Sequence, residues 1–280
     1  MNLITRNSKI YRETRFLRQV TGAAIRGNVK PLIGYIRYLS LENKLKEKYF
    51  GALSFVLYHC GFNISSQTLS RLIREMPVII EFYNDSKFYV HYLLDYLHAG
   101  LYNEPETFKF IMKQIKNSKV FIDVGANIGG YAIRVAKYCK VYAIEPFPRN
   151  YKILKINEKL NNVKINSFNI AAGNKNGKVK LYYTQVNWLI PSIKWKQDYF
   201  VEVEMKPLDE IINEESIDLM KIDVEGAEDL VLEGARNCLK RTKMVIIERS
   251  ESLPKAYKIL KEESFKLRKF LDHNALLQNK

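Results

Sequence analysis

Phe121-Ile122-Asp123-Val124-Gly125-Ala126-Asn127-Ile128-Gly129-Gly130 is the stretch that decides how this chain folds. Residues 120–124, apolar but for Asp123, carry β-branched and aromatic side chains, the composition of a strand covered on both faces. Gly125 and Gly129 let the backbone turn tightly. Residues 131–138, with Ile133, Val135 and Ala136 apolar, read as the helix that follows. A strand, a glycine turn and a helix in that order open a βαβ unit.

The same alternation continues outward. Residues 141–145 predict a second strand, stopped by Pro146 and Pro148, and residues 150–160 a helix burying Ile153, Leu154, Ile156 and Leu160. A third strand is expected at 163–171, with a hairpin turn at 174–177 leading into 178–183. The fourth strand falls at 217–223, its helix at 227–239, the fifth strand at 244–248, a helix at 254–262 and a final edge strand at 265–271. Short β-rich runs alternating with amphipathic helices predict an α/β fold with a mostly parallel central sheet flanked by helices. The region before it reads as mainly helical. Residues 35–53 and 65–74 carry apolar residues at helical spacing, as do Tyr89, Tyr92, Leu93, Tyr96 and Leu97 up to a stop at Gly100. Pro105 at a first-turn position opens another helix with Phe108, Ile111, Met112 and Ile115 on one face. The expected organisation is a basic helical extension (1–50), a helical cap (51–117) and a Rossmann-like domain (118–280).

With 280 residues, 47% of them hydrophobic, the chain can bury a core and does not read as disordered. Three cysteines, none in a Cys-x-x-Cys pair, argue against a disulfide framework or a zinc site and fit a reducing cytosol. The histidines show no metal-ligand spacing, and none reads as a base. Residues 50–62 are the most apolar run, far short of the roughly 20 residues that span a bilayer, so the expectation is a soluble, cytoplasmic protein. The net charge is +15, and residues 1–50 alone hold 11 Lys/Arg against 3 Asp/Glu. Such an arm attracts nucleic acid or an anionic membrane surface, or is simply a solvated face.

Four predicted strands end in acids: Asp123, Glu145, Asp223 and Glu248. In an open parallel sheet those ends collect the ligand, and a buried strand ending in a carboxylate is costly unless it lines a cleft or meets donors. A dinucleotide loop would carry a second glycine where Asn127 stands. Asp123 repels a pyrophosphate but suits a cationic amino group. Glu145, about 20 residues further on, can accept ribose hydroxyls. Together they favour S-adenosylmethionine over a nicotinamide or flavin dinucleotide.

Asp123-Val124-Gly125-Ala126-Asn127-Ile128-Gly129, Ile144-Glu145-Pro146, Leu208-Asp209-Glu210 and Lys221-Ile222-Asp223-Val224-Glu225-Gly226-Ala227-Glu228 resemble the FkbM-type methyltransferases. The resemblance covers about residues 88–250. It implies a class I Rossmann-like methyltransferase fold, S-adenosylmethionine as methyl donor, and an oxygen acceptor on a sugar or polyketide-like small molecule. By position it implies that Gly125, Asn127 and Gly129 contact the methionine portion and Glu145-Pro146 the ribose side, with Asn169 and Ala171 bordering the adenine. Ser192 resembles a serine of the acceptor-side loop.

Methyl transfer to oxygen needs alignment and relief of the hydroxyl proton. Asp223 is the candidate base or acceptor holder, with Glu225 sharing the task; as hard oxygen donors the two could instead hold Mg²⁺. Glu228 reads as an acid favouring a helix N-terminus. Trp188 and Trp195 flank Pro191 in a polar insertion, where an exposed indole suits stacking on a sugar or base. Trp188, Ser192 and Glu248 are the acceptor-side candidates. The leading expectation is O-methylation of a glycan, glycolipid or other small hydroxylated molecule. The alternatives are an RNA methyltransferase using the basic arm, against which the chain lacks an Asn/Asp-Pro-Pro-Tyr/Phe run, and a binding protein that kept the fold without catalysis.

Overall fold

A computed structural model describes residues 78–82, 86–90, 93–101, 104–183, 191–197 and 199–279. The expected basic extension, the helices at 35–53 and 65–74, and Trp188 lie outside the described residues.

The central sheet grows from the strand that opens the sequence reading. Val120–Val124 (β3) is buried at every position, with Phe121, Ile122 and Val124 fully covered. It pairs in parallel with Lys140–Ile144 (β4) on one side and Ile217–Ile222 (β9) on the other. Asn166–Phe168 (β5) lies beyond β4, and Thr242–Glu248 (β10) beyond β9, both parallel. Lys266–Leu271 (β11) and Asn274–Gln278 (β12) complete seven strands in the order β11-β12-β10-β9-β3-β4-β5. β12 is the antiparallel member, inserted between β10 and β11. This is the expected α/β, class I Rossmann-like arrangement. Successive strands leave β3 in one direction and, from β9 on, in the other, so the sheet's switch point falls at the tips of β3 and β9.

Helices cover the sheet. Pro148–Leu160 (α4) buries Ile153 and Leu154. Glu228–Glu233 (α6), Arg236–Lys240 (α7) and Leu253–Glu262 (α8) pack Val231, Leu232, Cys238, Leu239, Ala256 and Leu260 into the main core with Met220, Ile222, Val245 and Ile247. Pro105–Gln114 (α2) begins at the expected proline, and Leu93–Gly100 (α1) ends at the expected glycine. Short helices at Ala132–Val135 (α3) and Leu208–Ile211 (α5) complete the set. Among the described residues no helix is long and apolar enough to cross a membrane.

Several expectations are corrected. Tyr89 belongs to a strand, Ser86–Val90 (β2), paired with Val78–Phe82 (β1). Its N–H donates to Asn157 Oδ1 on α4 at 2.7 Å, so a tertiary contact overrides the helical spacing. The strand expected at 163–171 divides: Asn166–Phe168 stays in the central sheet, while Ala171–Ala172 (β6) joins a second sheet. The side-chain amide of Asn169 donates to the carbonyls of Glu145 and Pro146, which ends the central pairing there. Gly177–Tyr183 (β7) is no hairpin partner of β6, because Tyr199–Lys206 (β8), unread in the polar insertion, lies between them. The helix expected at 227–239 breaks at Gly234, where a Cβ would stand 1.9 Å from the Gly173 carbonyl. β12 was also unread.

Candidate active site

At the tips of β3, β4 and β9 the backbone leaves room for a ligand. Gly125 has φ +85 and Gly129 φ +93, and Asn127 sits between them at φ 52, a conformation asparagine tolerates better than most residues. A Cβ on Gly125 would lie 1.8 Å from the Asp223 carbonyl oxygen, so only glycine fits between the two strand ends. The resulting cleft encloses about 920 Å³ of space continuous with solvent and is lined by Asp123, Gly125, Asn127, Glu145, Pro146 and Ala171. Asp223 and Glu225 face it from β9 and the loop beyond, and Pro191 and Ile193 from the insertion.

The cofactor-side acids differ in how they are satisfied. Glu145 accepts the Asn127 N–H at 2.7 Å and the Phe147 N–H at 2.9 Å. Burial outweighs those donors and pushes its carboxyl up to about 7. Asp123 is 2% exposed, and its Oδ2 has no hydrogen-bond partner among the described residues. Burial, with the Asp223 charge adding to it and Lys221 opposing, holds Asp123 at about 7 as well. A buried, half-answered carboxylate at the mouth of a glycine turn fits a cationic group on a ligand. As a hydrogen-bond acceptor of negative charge, Asp123 therefore suits the ammonium end of S-adenosylmethionine.

A second group of acids meets at the ends of β9 and β10. Asp223, Glu225 and Glu248 each bring a carboxylate oxygen within 4.8 Å of the others. Burial first, then the charges of Asp223 and Glu225 and a hydrogen bond to Asp223, push Glu248 well above the usual carboxylate range. Burial and the nearby Asp223 and Glu228 charges bring Glu225 up to about 7. Glu225 sits at φ 55, a left-handed conformation that costs on the order of 1 kcal/mol for a non-glycine residue, and Gly226 follows at φ 95. The loop is braced from behind. Glu228 accepts the Gly226 N–H at 3.1 Å and the hydroxyls of Ser250 and Ser252, so this acid supports the turn rather than only the helix start. Ser192, fully buried, donates to the Glu225 carbonyl at 2.9 Å and accepts the Lys194 N–H at 3.1 Å.

The structure thus brings together Asp123, Gly125, Asn127, Glu145, Pro146, Ala171, Asp223 and Glu225 around one cleft. Gly129 lies behind its wall against Ile133, and Asn169 holds the loop after β4. Glu248 reaches the cleft's carboxylates without lining it, and the Ser192 hydroxyl donates to the backbone carbonyl of Glu225 in the same loop. Trp188 is outside the described residues, whereas Trp195, 40% exposed, approaches the Cβ position of Gly226 at 3.2 Å.

Sequence reasoning passed over Lys221, Glu104, Tyr131 and His98, all of which line the cleft. It also assigned nothing to His273, whose Nε2 lies 3.1 Å from Glu104 Oε1. Burial lowers the His98 pKa and keeps that ring neutral. One signal was present: a lysine between Met220 and Ile222, inside a largely apolar strand, is a residue type almost never fully buried unless paired.

Residues 123–277 match the model of the methyltransferase FkbM domain. A curated relative, the 2-O-methyltransferase NoeI of Sinorhizobium fredii (strain NBRC 101917 / NGR234), is 27% identical over 160 residues, which is 49% of this chain and 65% of that protein. The chain thus spans a little under two thirds of this relative's length. Among solved structures, the chain is similar to the methyltransferase FkbM from Methylobacillus flagellatus KT, at 17% identity and a TM-score of 0.41, covering 85% of this chain and 62% of that one. It is also similar to the Pyrococcus abyssi tRNA (uracil-54, C5)-methyltransferase in complex with S-adenosyl-L-homocysteine, at 11% identity and a TM-score of 0.43, covering 72% and 43%. Matched over more than half of its length by the family model, the chain belongs to the methyltransferase FkbM domain family.

Proposed function

We propose that this protein is an S-adenosylmethionine-dependent methyltransferase that methylates a hydroxyl group of a glycan, glycolipid or other small hydroxylated molecule. The observation that carries the cofactor is the buried Oδ2 of Asp123, without a partner among the described residues, beside the Gly125 turn. When bound, the cofactor supplies an electrophilic methyl group. Asp123 would hold its ammonium, and Glu145, whose oxygens retain lone pairs beyond the two backbone donors, its ribose hydroxyls. On the acceptor side, Asp223 receives the hydroxyl as a hydrogen bond and aligns its oxygen for in-line attack. Asp223 would take the proton as the C–O bond forms and the methyl–sulfur bond breaks, S-adenosylhomocysteine being the leaving group. Glu225, within 4.8 Å and with its carboxyl raised to about 7, would receive it from Asp223. An oxygen acceptor fits this set of carboxylates, and it is also what the relative's name, 2-O-methyltransferase, states of that protein.

The test is incubation of the purified chain with methyl-tritiated S-adenosylmethionine and separated glycan, lipid and RNA fractions of a cell extract. Label in the glycan or lipid fraction, removed by glycosidase or lipase digestion, is expected. Label in RNA alone would replace the acceptor class, and no calorimetric binding of S-adenosylmethionine would leave the chain a non-catalytic member of its fold.

A further inference from the structure

Packing gives no reason for a lysine on β9. Leu219, Met220 and Ile222 beside it are fully buried, and Lys221 itself is 2% exposed. Taking an ammonium out of water costs several kcal/mol unless other charges answer it, and apolar side chains of similar volume often serve stability as well or better. Here three groups answer it. Asp223 Oδ2 lies 2.6 Å from Lys221 Nζ, Glu104 Oε2 lies 3.8 Å away, and the Tyr131 ring centre is at 4.9 Å. Burial would lower the lysine's pKa, but the charges of Asp223, Glu104 and Asp123 more than reverse that, so it stays an ammonium.

Glu104 is itself fixed. It accepts the Tyr131 hydroxyl at 2.8 Å, the Asn274 amide at 2.6 Å and His273 Nε2 at 3.1 Å. Those partners come from the turn before α3, from β12 and from the β11–β12 connection. Glu104 precedes α2, outside the residues matched by the family model. A purely structural ion pair would close on itself inside the core. This one ends at Asp223, whose side chain is 24% exposed and faces the cleft.

We propose that Lys221 is a positioning residue: it holds one oxygen of Asp223 so that the other is presented to the acceptor hydroxyl, with Glu104 as its anchor. The proposal rests on the methyl-transfer reading above. Displacement of a reacting group by about 1 Å costs on the order of 100-fold in rate while leaving the cofactor's own contacts in place.

The experiment compares Lys221→Met, Lys221→Arg and Glu104→Gln with the wild type. It uses methyl-tritiated S-adenosylmethionine and the extract fraction the wild type labels, alongside calorimetric binding of S-adenosylhomocysteine. Lys221→Met should lower kcat about 100-fold while KM for the methyl donor and the Kd of S-adenosylhomocysteine stay within about threefold. Lys221→Arg should recover at least about tenfold of that loss, and Glu104→Gln should lower kcat about tenfold. Should Lys221→Met fail to fold for want of the buried cation, the double variant Lys221→Met/Glu104→Gln removes both charges, and it should fold and show the same kcat loss. A wild-type kcat in Lys221→Met or in the double variant overturns the proposal, and so does a failure of Lys221→Arg to recover any rate. A wild type that labels no fraction sinks the methyl-transfer reading and this one with it, whereas active wild type with unaltered variants sinks this one alone.

Discussion

The carbonyl oxygen of Asp223 occupies the space that a Cβ on Gly125 would need, at a separation of 1.8 Å. The candidate cofactor turn and the candidate catalytic strand end are therefore in direct backbone contact, with no side chain between them. At φ +85, Gly125 also adopts a conformation closed to most other residues. Gly125→Ala should push the two strand tips apart and weaken S-adenosylmethionine binding by roughly 100-fold, with a lower melting temperature. Calorimetry returning the wild-type affinity would show that the turn does not shape the cofactor site.

Glu145→Ala should do two things. The carboxylate accepts the N–H groups of Asn127 and Phe147, and stranding buried donors costs about 1–3 kcal/mol each. Lower thermal stability should therefore accompany the loss of cofactor affinity. Glu145→Gln, which keeps one acceptor oxygen, should bind more weakly than wild type and melt above Glu145→Ala. Equal affinities in all three proteins would remove Glu145 from the ribose site.

Asp223→Asn keeps the side chain's shape and removes its charge. Turnover should fall by roughly 100- to 1000-fold, with cofactor affinity changed by less than about threefold. Initial rates at saturating methyl donor measure this. An unaltered rate would take Asp223 out of the mechanism.

Stability should fall as pH rises. Asp123, Glu145 and Glu225 all have carboxyls raised to about 7 by burial. The folded protein thus binds protons that the unfolded chain has lost between about pH 4 and 7. Their contribution is complete below the ordinary carboxylate range and disappears as pH rises through 7. Ligand-free protein should melt roughly 5–10 °C lower at pH 8 than at pH 5.5. S-adenosylmethionine, meeting an ionised Asp123, should restore more of that loss at pH 8 than at pH 5.5. Scanning calorimetry showing a melting temperature that is flat or climbs with pH would contradict this account.

Much of the central sheet was legible along the chain because its signals are local. Residues 120–124 and 217–222 are mainly apolar, broken only by Asp123, Asp218 and Lys221, and a strand covered on both faces needs a largely apolar composition whatever surrounds it. The glycines at 125 and 129 and the acids at 123, 145 and 223 likewise state their positions in sequence. Where partners lie far apart along the chain, the reading failed. Tyr89 became a strand residue through Asn157, β8 separated β6 from β7, and Gly234 broke a helix to let Gly173 approach. None of those contacts leaves a periodic trace.

The sequence by itself determined the sheet type, the glycine turn and the acids at the strand ends, since each rests on residue type and spacing over a few positions. Only the tertiary structure decided which acids meet. It set Asp223, Glu225 and Glu248 within 4.8 Å of one another and left Asp123 Oδ2 without a partner among the described residues. It joined Lys221 to Glu104 across more than one hundred residues of chain. Electrostatics in a buried site depends on through-space distance and desolvation, and neither quantity can be read along a chain.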